Sequence, residues 1–255
     1  MLLSLSLWQF MVSLAGGTFL SFLAVRPSLV GRRYFFYHGL MIGVVVIGLY
    51  FWQRTMLSDE MQWGFLVFLI GIVTVSLLPL KAFWHFSLIL LGAFGWSRLT
   101  GMAWDGSAST IWLFLHELSA PLLLGFTMAA MLLGHWYLVQ PKLPIDELKR
   151  TTLVWLGILG FRCLTTSWLS YQYLSQFSEI EIYRHLFSTT EGLFLLMRVL
   201  WGLVFSLTIG WMVWSSVRIR STQSATGLLY VAVLSVTVGE ILHVFLKTAW
   251  KVFPA

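Results

Sequence analysis

Charge is what this sequence has least of: Asp, Glu, Lys and Arg make up 10% of its 255 residues, against roughly 25% in a water-soluble domain. Too little polar surface is encoded to coat a soluble globule. Cysteine is nearly absent as well. The single Cys163 lies in an apolar stretch, which excludes an internal disulfide and any CxxC metal or haem-attachment motif and leaves it as a small buried hydrophobe. Long polar stretches are missing too, and the longest, such as Ser175 to Glu181 and Gln140 to Thr152, are too short to build a soluble core. No Gly-rich phosphate loop, nucleophile elbow or HExxH signature occurs, and no internal duplication is evident. The net charge of +6 is spread over short loops instead of one basic face, which argues against a nucleic-acid partner.

What is present is apolar: 58% of the residues are hydrophobic, with 14 Trp and 20 Phe, ring types that favour the half-wet boundary of a bilayer. A helix needs about 20 apolar residues to cross the hydrocarbon. Runs of that kind fall at roughly 3-25, 34-53, 62-80, 83-98, 110-139, 152-174, 189-215 and 225-248. The expected fold is therefore all-α, one polytopic membrane bundle over 1-255 with eight transmembrane helices, or seven if the short fourth does not cross. Only the turn at Pro79, Leu80 and Lys81 separates spans three and four, so the two are expected to form a tight hairpin or a partly re-entrant pair. Span five is long enough to require tilt or a kink at Pro121, whose ring removes a backbone hydrogen bond. The first run has no charged leader and exceeds a signal core, so it is expected to remain as a first helix.

Basic residues between the runs set a topology. Arg26, Arg32, Arg33, Lys81, Lys142, Lys149, Arg150, Arg218 and Arg220 fall on one side, and Arg54, Arg98, Arg184, Lys247 and Lys251 on the other. The positive-inside rule then puts both termini outside the cytoplasm, in a bacterial-type inner or plasma membrane.

Ionisable residues within spans carry the functional signal, because a charge at mid-membrane costs about 2.5 to 3.5 kcal/mol even on the most lenient scale. Arg162 in span six and Arg198 in span seven are accompanied by Glu117, Glu191 and Glu240 toward the non-cytoplasmic half. Glu191 and Arg198, seven apart, share a helical face, and so do Glu240, His243 and Lys247. Such a cluster either locks helices together through buried ion pairs or serves as a proton relay or quinone site. Histidines split by depth: His38, His85 and His135 near the cytoplasmic edge, His116 and His243 toward the opposite side, His185 at the outer loop. Two bis-histidine haem b sites can be drawn, His38 with His135 (or His85) and His116 with His243. His116 and His135 are 19 residues apart, however, about 28 Å along the helix and about 100° apart around it. A His pair 13 or 14 residues apart in one helix, the usual membrane cytochrome b arrangement, is absent.

Glu240-Ile-Leu-His243 has the Glu-x-x-His spacing of carboxylate-bridged metal bundles, and His116-Glu117 adds two donors, but the second such motif is missing and no metal is expected. Residues 132 to 150, LLGHWYLVQPKLPIDELKR, read as an interfacial belt of His135, Trp136 and Tyr137, stopped by Pro141 and Pro144; a quinone headgroup between His135 and Trp136 is the sharper alternative. Gly16, Gly17, Gly92 and Gly95 suit close helix packing. In architecture alone, eight spans with short loops resemble the quinone-handling membrane anchors of respiratory complexes, although no motif secures membership. The leading expectation is an electron-transfer subunit, partnered by other membrane subunits, that handles quinone, with or without haem b, through Glu117, Arg162, Arg198, Glu240, His116 and His243. The alternatives are a small proton- or ion-coupled transporter using the same groups as a relay, and a non-catalytic assembly subunit.

Overall fold

The computed structural model describes residues 2–53, 58–77, 111–140 and 143–248, and all regular structure among them is helical. In chain order the helices are α1 (Leu2–Ser21), α2 (Pro27–Val30), α3 (Arg32–Gln53), α4 (Asp59–Leu77), α5 (Ile111–Val139), α6 (Asp146–Leu174), α7 (Glu179–Ser188), α8 (Thr190–Val199), α9 (Ser206–Arg218) and α10 (Thr222–Thr248). Among the described residues, six segments are long and apolar enough to cross a membrane, α8 and α9 acting as one through a π-helical turn at Leu200–Phe205, and the shorter apolar stretch Met61–Leu77 accompanies them. The chain is an integral membrane protein. The expected fourth span at 83-98, the turn at Lys81 and His85 lie outside the described residues.

Helix ends follow local chemistry. Pro27 opens α2 where its missing N–H costs nothing, and Gly31 closes it at φ 85°, a backbone conformation that favours glycine. Asp146 and Glu147 occupy the first turn of α6, where carboxylates complement the helix dipole. Glu147 is also buried against Arg26, receiving its guanidinium at 3.3 Å, which ties the start of α6 to the end of the first span. Ser178 and Glu181 form a reciprocal capping box on α7, and the Thr189 hydroxyl accepts from the Gly192 N–H to cap α8. The polar stretch beginning at Ser175 therefore opens a short helix. Pro121 does not break α5, which runs unbroken through it; the proline carbonyl instead faces Gly17 of α1, where a Cβ would sit 1.7 Å from the oxygen. Gly125 meets the same stretch of α1, so the small residues let the two backbones touch.

Helix α5 is the centre of the bundle, packed against α1, α6 and α10, while α3 and α4 pair with each other beside α1 and α9 bridges α6 and α10. Apolar residues face outward along α3 (Leu40, Met41, Val44, Ile47, Phe51) and along α4 (Trp63, Leu66, Ile70, Val73, Leu77). His38, Ser76, Arg162, Arg198 and Glu240 face inward instead. Water-soluble domains avoid that inversion, since an exposed apolar stripe needs lipid or a partner to cover it.

Candidate functional site

The inward-facing polar groups converge where α5, α6, α8 and α10 meet. Glu240 of α10, 1% exposed, is held from two sides. Arg162 of α6 grips it as a fork, Nη2 donating to Oε2 at 2.8 Å and Nε to Oε1 at 3.2 Å. From α8, Arg198 donates through Nη2 to Oε1 at 2.7 Å. Both arginines are fully buried. Planar guanidinium suits this shared carboxylate better than a lysine ammonium, because it presents donors in a rigid fork.

Arg162 reaches further. Its Nη1 donates to the His116 carbonyl at 2.6 Å, to the Ser119 hydroxyl at 3.2 Å and to His116 Nε2 at 3.0 Å. A guanidinium has no lone pair to offer, so Nε2 must be the accepting nitrogen and the proton of neutral His116 sits on Nδ1. That Nδ1–H donates to Thr165 Oγ1 at 2.9 Å, and the threonine hydroxyl passes its own hydrogen to the Phe161 carbonyl at 3.1 Å. The tautomer of His116 is thus set by its neighbours.

On the far side, the His243 ring meets His116 edge to face with centroids 5.2 Å apart. Glu117 stands 3.9 Å from His243 Nε2 and pairs with Lys247 at 2.8 Å, half-way to the surface. His116, Glu117 and His243 bring one ligand atom each within 4.8 Å of one another. Their surroundings suit a cation poorly: both ring nitrogens of His116 are engaged, Lys247 occupies Glu117, and Arg162 adds positive charge against the histidine. Nor does the direct contact of the two imidazoles leave a gap for a porphyrin plane between them, as two axial ligands of one haem require.

His116 has a second side. Between α5 and α6 lies a groove of about 790 Å³, walled by Trp112, Phe161, Leu164, Trp168 and Leu169, with His116, Thr165 and Gln172 as its polar points. Trp112, Leu164 and Trp168 are exposed along its mouth, so it opens sideways into the lipid-facing surface. The His116–Thr165 hydrogen bond forms part of its wall, directly in front of the buried ion triad.

Of the residues singled out in the sequence, His116, Glu117, Arg162, Arg198, Glu240 and His243 come together here. Glu191 does not join them: it lies by Tyr173 in the first turn of α8, and Arg198 turns to Glu240 instead. His38 and His135 are neighbours elsewhere in the bundle. His38 is bonded at Nδ1 to the Tyr34 carbonyl at 2.6 Å and packs on Tyr34 and Trp136, and His135 faces the Tyr230 hydroxyl at 3.4 Å. Ser119, Thr165, Gly202 and Gly239 were not anticipated. Thr165 follows Arg162 by three residues, a spacing that could have marked it as a partner on the same face. The glycines matter through contact: a Cβ on Gly202 would lie 2.6 Å from the Gly239 Cα and 2.7 Å from Arg198 Nη1, and one on Gly239 would meet the same guanidinium. No family model, curated protein or solved structure matches the chain.

Proposed function

We propose that this chain is a membrane subunit of an electron-transfer complex and that it binds a quinone in the groove between α5 and α6. The observation that carries the reading is the pairing of that lateral, aromatic-walled groove with a polar relay at its back: a cavity of about 790 Å³ open to lipid, with Thr165 at its wall accepting from His116 Nδ1–H and able to turn its own hydrogen from the Phe161 carbonyl to a ligand oxygen. A quinone combines a lipid-soluble tail, a flat ring suited to Trp and Phe walls, and two oxygens that accept hydrogen bonds. Small-molecule sites have this character, mostly apolar with a few placed polar groups.

Oxidation of a bound quinol would release two electrons to a redox partner subunit and two protons to the protein. Glu117, half-exposed and already bridged to Lys247 and His243, stands where protons could leave toward water. Arg162 and Arg198 hold Glu240 in place between their guanidinium groups. In this reading no haem lies between His116 and His243. The remaining expectations join it: eight spans in all, both termini on the non-cytoplasmic side, a bacterial-type inner or plasma membrane, and neighbouring subunits in the bilayer.

The test is extraction of bound lipids from the gently solubilised protein, followed by quinone chromatography and binding of a short-tailed quinone. Co-purified quinone, and at least tenfold weaker binding in Thr165→Val and His116→Ala, supports the proposal. A quinone-free preparation whose residual binding is untouched by both substitutions overturns it. A reduced-minus-oxidised spectrum on the same sample checks for haem. The continuous run Lys247, Glu117, His243 and His116, from a half-exposed edge to the buried triad, favours proton-coupled transport as the second reading. Solute or proton flux by the chain reconstituted alone would select that one.

A further inference from the structure

Helices α5 and α6 pass each other in opposite directions beside the groove, and their contacts fix the register. Ser119 meets Arg162, His116 meets Thr165, and Leu113 packs on the apolar cluster that holds Leu169. Three residues back along α5 are thus three residues forward along α6. Trp112 therefore stands level with Trp168 and Leu169, and all three line the groove.

The polar points of α6 lie on either side of that level. Thr165 and Gln172 both line the groove and are seven residues apart, so they stand about 20° apart around the helix and about 10.5 Å apart along it. Trp168 and Leu169 come between them. The two ends differ in character. Thr165 is backed by His116 Nδ1–H and, through that ring, by the buried triad, whereas Gln172 is exposed and two residues from the end of α6. Each end has a hydrogen to give, from a hydroxyl at Thr165 and from an amide NH2 at Gln172.

We infer, building on the quinone reading above, that the groove selects a para-quinone: the ring lies between Trp112 and Trp168, one oxygen accepts from the Thr165 hydroxyl, and the opposite oxygen accepts from the Gln172 amide. The two oxygens of such a ring are about 5 Å apart, and a hydrogen bond of about 2.8 Å at each end extends the span to about 11 Å. That length matches the rise from Thr165 to Gln172. An ortho-quinone carries its oxygens side by side and reaches only one of the two donors. The tail leaves sideways past Leu164 and Trp168, which are exposed at the mouth.

The full chain in lipid nanodiscs is titrated with a short-tailed para-benzoquinone and with its ortho isomer. Infrared difference spectra are then taken with the two para-quinone carbonyls labelled with carbon-13 one at a time. We expect both carbonyl bands of the bound para-quinone to fall below their free frequencies. Gln172→Leu, at an exposed position where the fold tolerates change, returns one band to its free frequency and weakens para-quinone binding about tenfold, the worth of one hydrogen bond. It also removes the preference for the para over the ortho isomer. Thr165→Val returns the other band. Gln176→Leu, one turn beyond the groove, moves neither. Para-quinone binding that Thr165→Val weakens, but whose affinity and bands are indifferent to Gln172→Leu, overturns the inference and leaves the quinone reading standing. Binding that Thr165→Val leaves unchanged also overturns the inference, and a chain that binds no quinone overturns both.

Discussion

Replacing Glu240 by Gln conserves shape and removes one charge, and its cost can be worked through from the contacts. Three charge-assisted hydrogen bonds end on this carboxylate, two from Arg162 and one from Arg198. A glutamine offers one accepting oxygen and turns an NH2 toward a guanidinium, so at least one of the three becomes donor against donor. Hydrogen bonds to charged groups contribute about 1.5 to 3 kcal/mol each, and removing one partner of a buried pair costs about 3 to 5 kcal/mol. With two arginines sharing the single carboxylate, the expected loss is at the upper end, about 5 kcal/mol, against a total stability of roughly 5 to 15 kcal/mol. The assay is denaturant or thermal unfolding in one detergent, followed by circular dichroism. A companion variant discriminates: Arg162→Met, Arg198→Met and Glu240→Leu together remove every charge of the triad and should cost far less than Glu240→Gln alone, because apolar replacement of a whole buried ion cluster is often neutral or stabilising. If Glu240→Gln unfolds within about 1 kcal/mol of the parent, or if the triple variant is the worse of the two, the carboxylate is not the keystone of this contact.

Gly239→Ala places a methyl against Gly202 and Arg198 Nη1, so we expect about 1 to 3 kcal/mol of destabilisation from overpacking, read by the same unfolding assay, whereas Gly227→Ala, with open space around it, should be neutral or stabilising. Lys247→Met leaves Glu117 with only the 3.9 Å approach of His243; the pair is part-exposed, so a loss below about 1 kcal/mol is expected, and a larger one would mean that Glu117 is more deeply committed than its exposure implies. The Ser178 backbone N–H and hydroxyl, both bonded to Glu181, hold that carboxyl below its ordinary range. A depressed folded value means the cap supports α7 at neutral pH and loses that support as pH falls through it. Carbon-detected NMR of the Glu181 carboxyl should show the titration moving up toward the free value in Ser178→Ala.

Six of the expected spans were legible because bilayer thickness imposes a length and an apolar content that can be counted, and helices α3, α5 and α10 begin and end within a few residues of the hydropathy limits. So was the meeting of the buried charges. Charges inside spans are rare enough that Arg162, Arg198 and Glu240 had few partners other than one another. What hydropathy does not encode is the rotation and register of one helix against the next. Glu191 shares a face with Arg198, yet Arg198 is drawn to Glu240 on α10, a choice made by the close crossing of Gly202 and Gly239. The π-helical turn at Leu200–Phe205 lies at this crossing, and no spacing rule announces it. His116 and His243 do meet, but their edge-to-face contact depends on a rotation that sequence spacing leaves open.

The fixed tautomer of His116 joins the groove to the triad in a way that neither feature has alone. Arg162 Nη1 occupies Nε2, so the imidazole donates from Nδ1 to Thr165 Oγ1 and leaves the threonine hydrogen to turn toward the groove, for as long as Arg162 stays forked on Glu240. Any change that releases Arg162, protonation of Glu240 included, frees Nε2 and lets the ring exchange its donor for an acceptor. A ligand oxygen accepting from the Thr165 hydroxyl, which itself accepts from Nδ1–H, therefore stabilises the same arrangement that the ion triad stabilises, and the two should be coupled reciprocally. Glu240→Gln, though it touches no groove residue, is expected to weaken binding of a carbonyl-bearing ligand in the groove; Thr165→Val, at the wall, should weaken it without lowering stability by more than about 1.5 kcal/mol, the net worth of a hydrogen bond. Titration of each purified variant with a short-tailed quinone measures both. If Glu240→Gln folds and binds as the parent does, the histidine is oriented by the groove alone, and the triad serves only to hold the helices together.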